Sequence, residues 1–197
     1  VAVRDHFQFF LRFLRNPRKV GSVMPSSPQL VRDLLDGVDF EAARVVVEFG
    51  PGTGVFSSEI VKRLHPEAHL VCIELNDEFF HTMCSRFKDP RVKVIHGSAA
   101  DVQTILEQLG LDRADAIVSG LPFTTLPEQI RHEILRGTVS ALKPKGRFLL
   151  YQYSLFLMNH LRHYFEQIQL RRTILNLPPA YTFYCDAPRG TDTVYPA

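Results

Sequence analysis

The chain has 197 residues, enough for one domain with a sizeable core and too few for two comfortable ones. Hydrophobic residues make up 45% and charged residues 22%, the balance of an ordinary globular protein, which excludes a low-complexity or disordered chain. The net charge of +2 is unevenly placed: residues 1–24 hold Arg4, Arg12, Arg15, Arg18 and Lys19 against Asp5 alone, and the remainder is slightly acidic. A basic end on a near-neutral body points to an anionic surface as partner.

On a helical wheel, residues 1–15 divide into two arcs. Val3, Phe7, Phe9, Phe10, Leu11, Phe13 and Leu14 share one, and Arg4, Gln8, Arg12 and Arg15, with Asp5, share the other. Four phenylalanines within seven residues, opposed by arginines, suit a helix lying in a membrane interface; packing on its own domain is the alternative. The expected membrane contacts are Phe7, Phe9, Phe10, Arg12, Phe13, Leu14, Arg15, Arg18 and Lys19. Asn16-Pro17 ends the helix, because proline disfavours helical backbone in the residue before it. An N-terminal amphipathic segment (residues 1–19) and one domain (20–197) are therefore expected.

Residues 20–27 form a loop, either a cover for the site or a plain connector, that contains Ser26. Ser27 reads as an N-cap with Pro28 at N1, opening a helix through Leu30, Val31, Leu34 and Leu35 that Gly37 stops. Val45–Val47 then reads as a buried strand. It meets Glu48 and three alternate glycines, Gly50, Gly52 and Gly54, before a helical face of Phe56, Ile60, Val61 and Leu64. Strand, glycine turn and helix make the nucleotide-binding corner of an open α/β sheet. A dinucleotide fingerprint would read G-x-G-x-x-G with a pyrophosphate over the helix. Here the run is E-x-G-x-G-x-G, and a carboxylate at Glu48 repels a pyrophosphate but suits a cationic ligand. The run resembles motif I of the class I S-adenosylmethionine-dependent methyltransferases.

His69–Glu74 is the second buried strand, and its terminal Glu74 lies 22 residues beyond Gly52, where this fold places an acid against the ribose hydroxyls. Asn76 caps the next helix, with Asp77 and Glu78 in its first turn. After a third strand, Val92–His96, come Gly97, Ser98, Ala99, Ala100 and Asp101. Small residues and an acid there suit an adenine ring; the alternative for Asp101 is a helix N-cap. A fourth strand, Ala116–Ser119, ends in S-G-L-P-F, and Pro127 opens a helix carrying Ile130, Ile134, Leu135, Val139 and Leu142. Lys143–Gly146 is the turn into a fifth strand, Arg147–Tyr153. A helix over 155–167 and an antiparallel pair, 170–177 and 181–186, joined by Pro178-Pro179, complete the chain. The expected fold is α/β: a Rossmann-like, mostly parallel seven-stranded sheet with a C-terminal antiparallel hairpin.

Cys72, Cys84 and Cys185 are widely spaced, which suits a reducing compartment. No apolar run reaches the ~18–20 residues that cross a bilayer, and the N-terminus lacks a signal-peptide pattern. A cytoplasmic monomer, held peripherally on the inner face of the cytoplasmic membrane, is expected.

The S-G-L-P-F stretch resembles the N/D/S-x-x-P-Y/F loop of amino methyltransferases, and especially the N-L-P-Y loop of rRNA adenine dimethylases. Such loops offer carbonyl and side-chain oxygens to an attacking amine, and the aromatic ring packs on substrate or methyl donor. F-F-L-R-F-L-R-N-P-R-K-V-G-S-V-M-P-S-S, together with E-F-G-P-G-T-G, S-G-L-P-F, Q-Y-S and N-L-P-P-A-Y, is similar to the bacterial phospholipid N-methyltransferases over residues 7 to 184. That resemblance implies S-adenosyl-L-methionine as donor, S-adenosyl-L-homocysteine as product, and stepwise methylation of phosphatidylethanolamine toward phosphatidylcholine. It implies Glu48, Gly50, Gly52, Thr53, Gly54, Glu74, Leu75, Ser98, Ala99, Asp101 and Ser119 around the cofactor, and Ser26, Leu121, Pro122 and Phe123 beside the substrate.

Ser119, Tyr151, Tyr153 and His160 are the catalytic candidates. Tyr151 and Tyr153 can surround an ammonium by cation–π contact or accept its proton, although Tyr153 is equally readable as core. His160 and His163 lie one helical turn apart; either suits a general base, and with no third ligand in view no metal is expected. Arg162, or the Arg18-Lys19 pair, suits a headgroup phosphate. RNA methylation is the alternative function, but beyond residue 24 the chain lacks the basic footprint of an RNA-binding body, so no nucleic-acid partner is expected.

Overall fold

Val45–Phe49 has every side chain buried, as a strand covered on both faces must. In the computed structural model, which describes residues 26–189, this strand, β1, is an inner strand of a seven-stranded sheet of order β3-β2-β1-β4-β5-β7-β6. β2 (His69–Glu74) and β4 (Ala114–Ser119) flank β1 in parallel, with Val47 level with Val71 and with Ile117. β3 (Val92–His96) and β5 (Leu142–Gln152) extend the parallel set outward. β7 (Ala180–Pro188) runs antiparallel to β5, and β6 (Phe165–Thr173) antiparallel to β7. The residues of the expected membrane helix, Phe7 to Lys19, lie outside those described.

Alternation along β1 divides the core. Val45, Val47 and Phe49 join a cluster that includes residues of α4 (Val102–Gln108), α5 (Glu128–Ala141) and α6 (Met158–Tyr164). Val46 joins the opposite cluster, with residues of α1 (Pro28–Leu35), α2 (Val55–Arg63) and α3 (Asp77–Arg86). The helix starts read from the sequence are present as hydrogen bonds. Ser27 Oγ accepts from Leu30 N–H at 3.1 Å, and Asn76 Oδ1 from Phe79 N–H at 3.0 Å.

Two expectations are corrected. The helix read over 155–167 stops at Tyr164, and the strand read over 170–177 instead runs from Phe165 to Thr173, because Phe165 to Thr173 pair with Pro188 to Ala180; long-range pairing overrides local preference. Lys143–Gly146 belongs to β5 as an irregularity: the register passes from Ala114↔Leu142 to Ala116↔Arg147.

All five parallel strands deliver their C-terminal ends to one edge, where Gly50, Leu75, Gly97, Gly120 and Tyr153 follow. Among the described residues no helix is long and apolar enough to cross a membrane.

Candidate active site

The glycine turn carries the first half of the site. Gly50 has φ +63°, and a Cβ there would meet the Leu121 side chain at 2.8 Å, so glycine lets the loop after β4 close onto the loop after β1. Gly52 has φ +55° and faces open space, with no atom within 4 Å of where a Cβ would be. Backbone that turns outward without a side chain is what a bulky cofactor needs for close approach.

Glu74, at the end of β2, is buried and joined to that turn. Its Oε2 accepts from Gly52 N–H at 3.0 Å and its Oε1 from Asn76 N–H at 2.9 Å. Burial raises its pKa, and the backbone N–H groups oppose the rise. Each oxygen retains acceptor capacity for a ribose hydroxyl. Ser98 Oγ accepts from Ala100 N–H at 3.2 Å, turning the chain after β3 with Ala99 buried and Asp101 exposed. Asp101 makes no capping hydrogen bond, so the N-cap alternative is not realised. Leu75 is half-buried and Thr53 exposed beside the turn. These residues fit S-adenosylmethionine.

Glu48 lies beneath the turn, only 2% exposed. Ser57 of α2 donates to its carboxylate at 2.5 Å, and Cys72 of β2 lies at 3.7 Å. Burial pushes its pKa up to about 7, against those two hydrogen bonds. It sits close enough to raise the Tyr151 pKa, after burial and against the Ser26 hydrogen bond.

The loop after β4 carries the second half. Ser119 is fully buried, and its Oγ accepts from Leu121 N–H at 3.2 Å. Gln152, at the end of β5, donates to the Leu121 carbonyl at 2.9 Å. Tyr151 stacks on Phe56 with centroids 5.7 Å apart, and its hydroxyl accepts from Ser26 Oγ at 3.3 Å. Tyr153 stands edge-on to Tyr151 and is 48% exposed, which excludes the core reading for it. Ser26, Tyr151, Tyr153 and Gly120 thus gather at one mouth, with Leu121 and Pro122 half-buried beside it.

Two substrate or catalytic assignments are corrected. Phe123 is fully buried and packs edge-on against Phe148 at 6.3 Å, so its ring is core and cannot stack on a substrate. His160 turns toward α5: its ring lies 5.9 Å from His132 and 5.2 Å from Phe156, and burial with nearby Arg131 lowers its pKa. No hydrogen bond or ring contact joins it to Ser119 or Tyr151. Arg162 is an exposed residue of α6.

Sequence reasoning missed Gln152, a polar residue ending an apolar strand, and Arg131, a buried guanidinium 4.9 Å over the Phe156 ring. Glu128, His132 and His160 bring one ligand atom each within 4.8 Å of the others. The Arg131 cation beside His160 opposes a metal ion there, and His132 Nδ1 is bonded to the Tyr164 hydroxyl at 2.7 Å.

A glycine turn hydrogen-bonded to a buried acid at the end of the next strand, on a sheet whose last strands reverse, is the arrangement of the class I S-adenosylmethionine-dependent methyltransferases. The chain belongs to that family: a family model described as a methyltransferase domain matches residues 46–146. The methyl donor is S-adenosylmethionine. Among curated relatives the chain is 31% identical, over 93% of its own length and 96% of the relative's, to ornithine lipid N-methyltransferase of Singulisphaera acidiphila. It is 27% identical to ribosomal RNA small subunit methyltransferase A of Dehalococcoides mccartyi, over 71% of this chain but only 45% of that one. The fold is shared with NodS, an N-methyltransferase of Bradyrhizobium japonicum in complex with S-adenosyl-L-homocysteine (TM-score 0.67, 12% identity, 83% and 89% of the two chains). It is shared equally with human methyltransferase-like protein 13 (0.66, 16%, 85% and 87%).

Proposed function

We propose that the protein methylates the primary amine of a membrane-lipid headgroup. Phosphatidylethanolamine, carried toward phosphatidylcholine, is the acceptor that the motif resemblance favours, and ornithine lipid is the second reading, favoured by the relative named above. The observation that carries the lipid reading is that relative's similarity over nearly the full length of both chains. The rRNA enzymes match less than half of their own length.

The bound donor supplies an electrophilic methyl group on a cationic sulfur. The chain holds it with the Gly50–Gly54 turn, the Glu74 carboxylate, and Leu75, Ser98, Ala99 and Asp101 on the adenine side. The amine arrives past Ser26, Tyr151 and Tyr153 to the Ser119–Pro122 loop. An ammonium with a pKa near ~10 must lose a proton, to solvent at the open mouth of the site, before it attacks. Tyr151, its pKa raised by burial, keeps its own proton at neutral pH, so it orients the amine and is not the base. Gln152 and Ser119 hold Leu121 from two sides, keeping the loop rigid; positioning of this kind supplies much of the acceleration in a displacement. The exposed Tyr153 ring offers a cation–π face to the incoming ammonium.

Residues 1–19 act, in this reading, as an amphipathic helix on the anionic inner face of the cytoplasmic membrane. Ser26, the first described residue, hydrogen-bonds Tyr151 at the mouth of the site. The test is transfer of a labelled methyl group to vesicles containing phosphatidylethanolamine or ornithine lipid. Label in one lipid extract identifies the headgroup and, by chromatography, the number of methyl groups; no label in either contradicts the proposal.

A further inference from the structure

The turn between β6 and β7 inverts the usual pattern of a surface loop. Its polar residue, Asn176, is buried at 5% exposure, whereas its apolar neighbours Ile174, Leu175 and Leu177 are 70%, 75% and 72% exposed. The inversion is built in. Asn176 Oδ1 accepts from Ser27 N–H at 3.0 Å and its Nδ2 donates to the Pro178 carbonyl at 2.7 Å, which turns the polar side chain inward. Thr173 Oγ1 donates to Asp33 of α1 at 2.7 Å, fastening the base of the turn.

The turn also lies at the mouth of the site. Gln152 is level with Tyr181, and Thr173 with Ala180, so residues 174–179 project beyond the end of β5, on the edge that carries Gly50 and Gly120. The segment that follows β5 exposes Tyr153, Leu155 and Phe156 on that same edge, at 48%, 46% and 53%. Six of the seven large apolar side chains exposed among the described residues are these; Leu170 is the other. Clustering of this kind marks an interaction surface. Two exposed arginines lie beside it: Arg171 and Arg172, just before Thr173, stand over the Tyr184 and Tyr181 rings at 5.0 and 5.9 Å, and the acid at the base of the turn, Asp33, is half-buried and bonded to Thr173. Glu166, the one acid of β6, lies seven residues from Thr173 and within 3.8 Å of Arg189.

We infer that the β6–β7 turn and the Tyr153–Phe156 segment form an apolar rim that enters an anionic phospholipid bilayer and seats the mouth of the site on the membrane. Side chains beyond Asn176 lodge at the acyl boundary while the arginines behind them meet lipid phosphates. The inference rests on the lipid reading above. It places a second membrane contact within the folded domain, separate from residues 1–19, and explains how a headgroup reaches Tyr151 without leaving its leaflet.

The full chain contains no tryptophan, so Leu175→Trp reports on one site. Its emission is expected to shift to the blue and to be quenched by brominated acyl chains on vesicles of phosphatidylethanolamine and phosphatidylglycerol. Glu41→Trp, before β1 at the opposite edge, is expected to show neither change. Replacing Ile174, Leu175 and Leu177 together by serine should weaken vesicle binding on the order of tenfold per side chain, with S-adenosylmethionine binding unchanged. Emission at residue 175 that stays solvent-like on vesicles would overturn the inference, and so would emission already blue-shifted without vesicles, which would mean residues 1–25 cover the rim. Equal methyl transfer to vesicles by wild type and the serine variant sinks the rim and leaves the lipid function standing. Insertion of residue 175 with no transfer to vesicle or detergent-dispersed lipid supports the rim and sinks the lipid function.

Discussion

Replacing Glu48 by glutamine removes a carboxylate that the fold encloses at a cost. Its ordinary pKa of 4.5 is pushed up to about 7, with burial as the largest cause. The sign follows from proton counting. Between those values the folded chain binds the proton more tightly than the unfolded chain, so stability is highest below about 4.5 and falls as pH rises through 7. A gap of about two to three pH units, at about 1.4 kcal/mol for each, amounts to about 3–4 kcal/mol, most of which is lost between about pH 5 and about pH 8. Urea unfolding of wild type and Glu48→Gln at those two pH values measures it. The variant carries its own offset, from an amide facing Ser57 and Cys72, but the offset is the same at both pH values. The wild-type stability should therefore fall by about 2–3 kcal/mol more than that of the variant. Equal pH dependence in the two proteins would refute the reasoning and show that water reaches Glu48.

Gly52→Ala and Gly110→Ala impose similar backbone strain, at φ +55° and +67° with no neighbouring atom within 4 Å, so each should cost about 1–2 kcal/mol of stability. Only Gly52→Ala should weaken S-adenosylmethionine in calorimetry, and equal affinity in the two variants would remove the turn from the cofactor site. Glu74→Ala releases the Gly52 and Asn76 amides along with the ribose contacts, so cofactor affinity should fall about 10- to 100-fold; unaltered affinity would contradict its role. Phe123→Ala should cost about 3–5 kcal/mol in urea unfolding, as a buried ring does, whereas a fully stable variant with a raised KM for lipid would return that ring to the substrate.

The parallel half of the sheet was legible because its evidence is local. Val45–Val47 and Leu70–Ile73 are short apolar runs, each followed by an acid and then a turn or cap residue. Ser27 and Asn76 announce their helices by chemistry that acts within three residues. The glycine turn and Glu74 were legible for a related reason, since glycine at Gly50 and Gly52 answers a backbone demand. Phe165–Thr173 was misread in part because its partner strand begins several residues beyond the turn, and only the pairing makes Phe165 extended. The Phe123 ring could turn outward to a ligand or inward to Phe148, and nothing within the loop decides between them. His160 likewise faces a histidine of another helix. Gln152, Asn176 and Arg131 draw their roles from contacts far apart in the chain, which spacing does not encode.

The central claim is that the acceptor is a lipid amine. The most direct test offers phosphatidylethanolamine in anionic vesicles and a structured RNA to the full chain in one tube, with labelled S-adenosylmethionine limiting. The account predicts label in the lipid extract and none in the RNA. Label in the RNA with none in the lipid would contradict it, leaving the Ser119–Pro122 loop as an amine site that serves a base and not a headgroup.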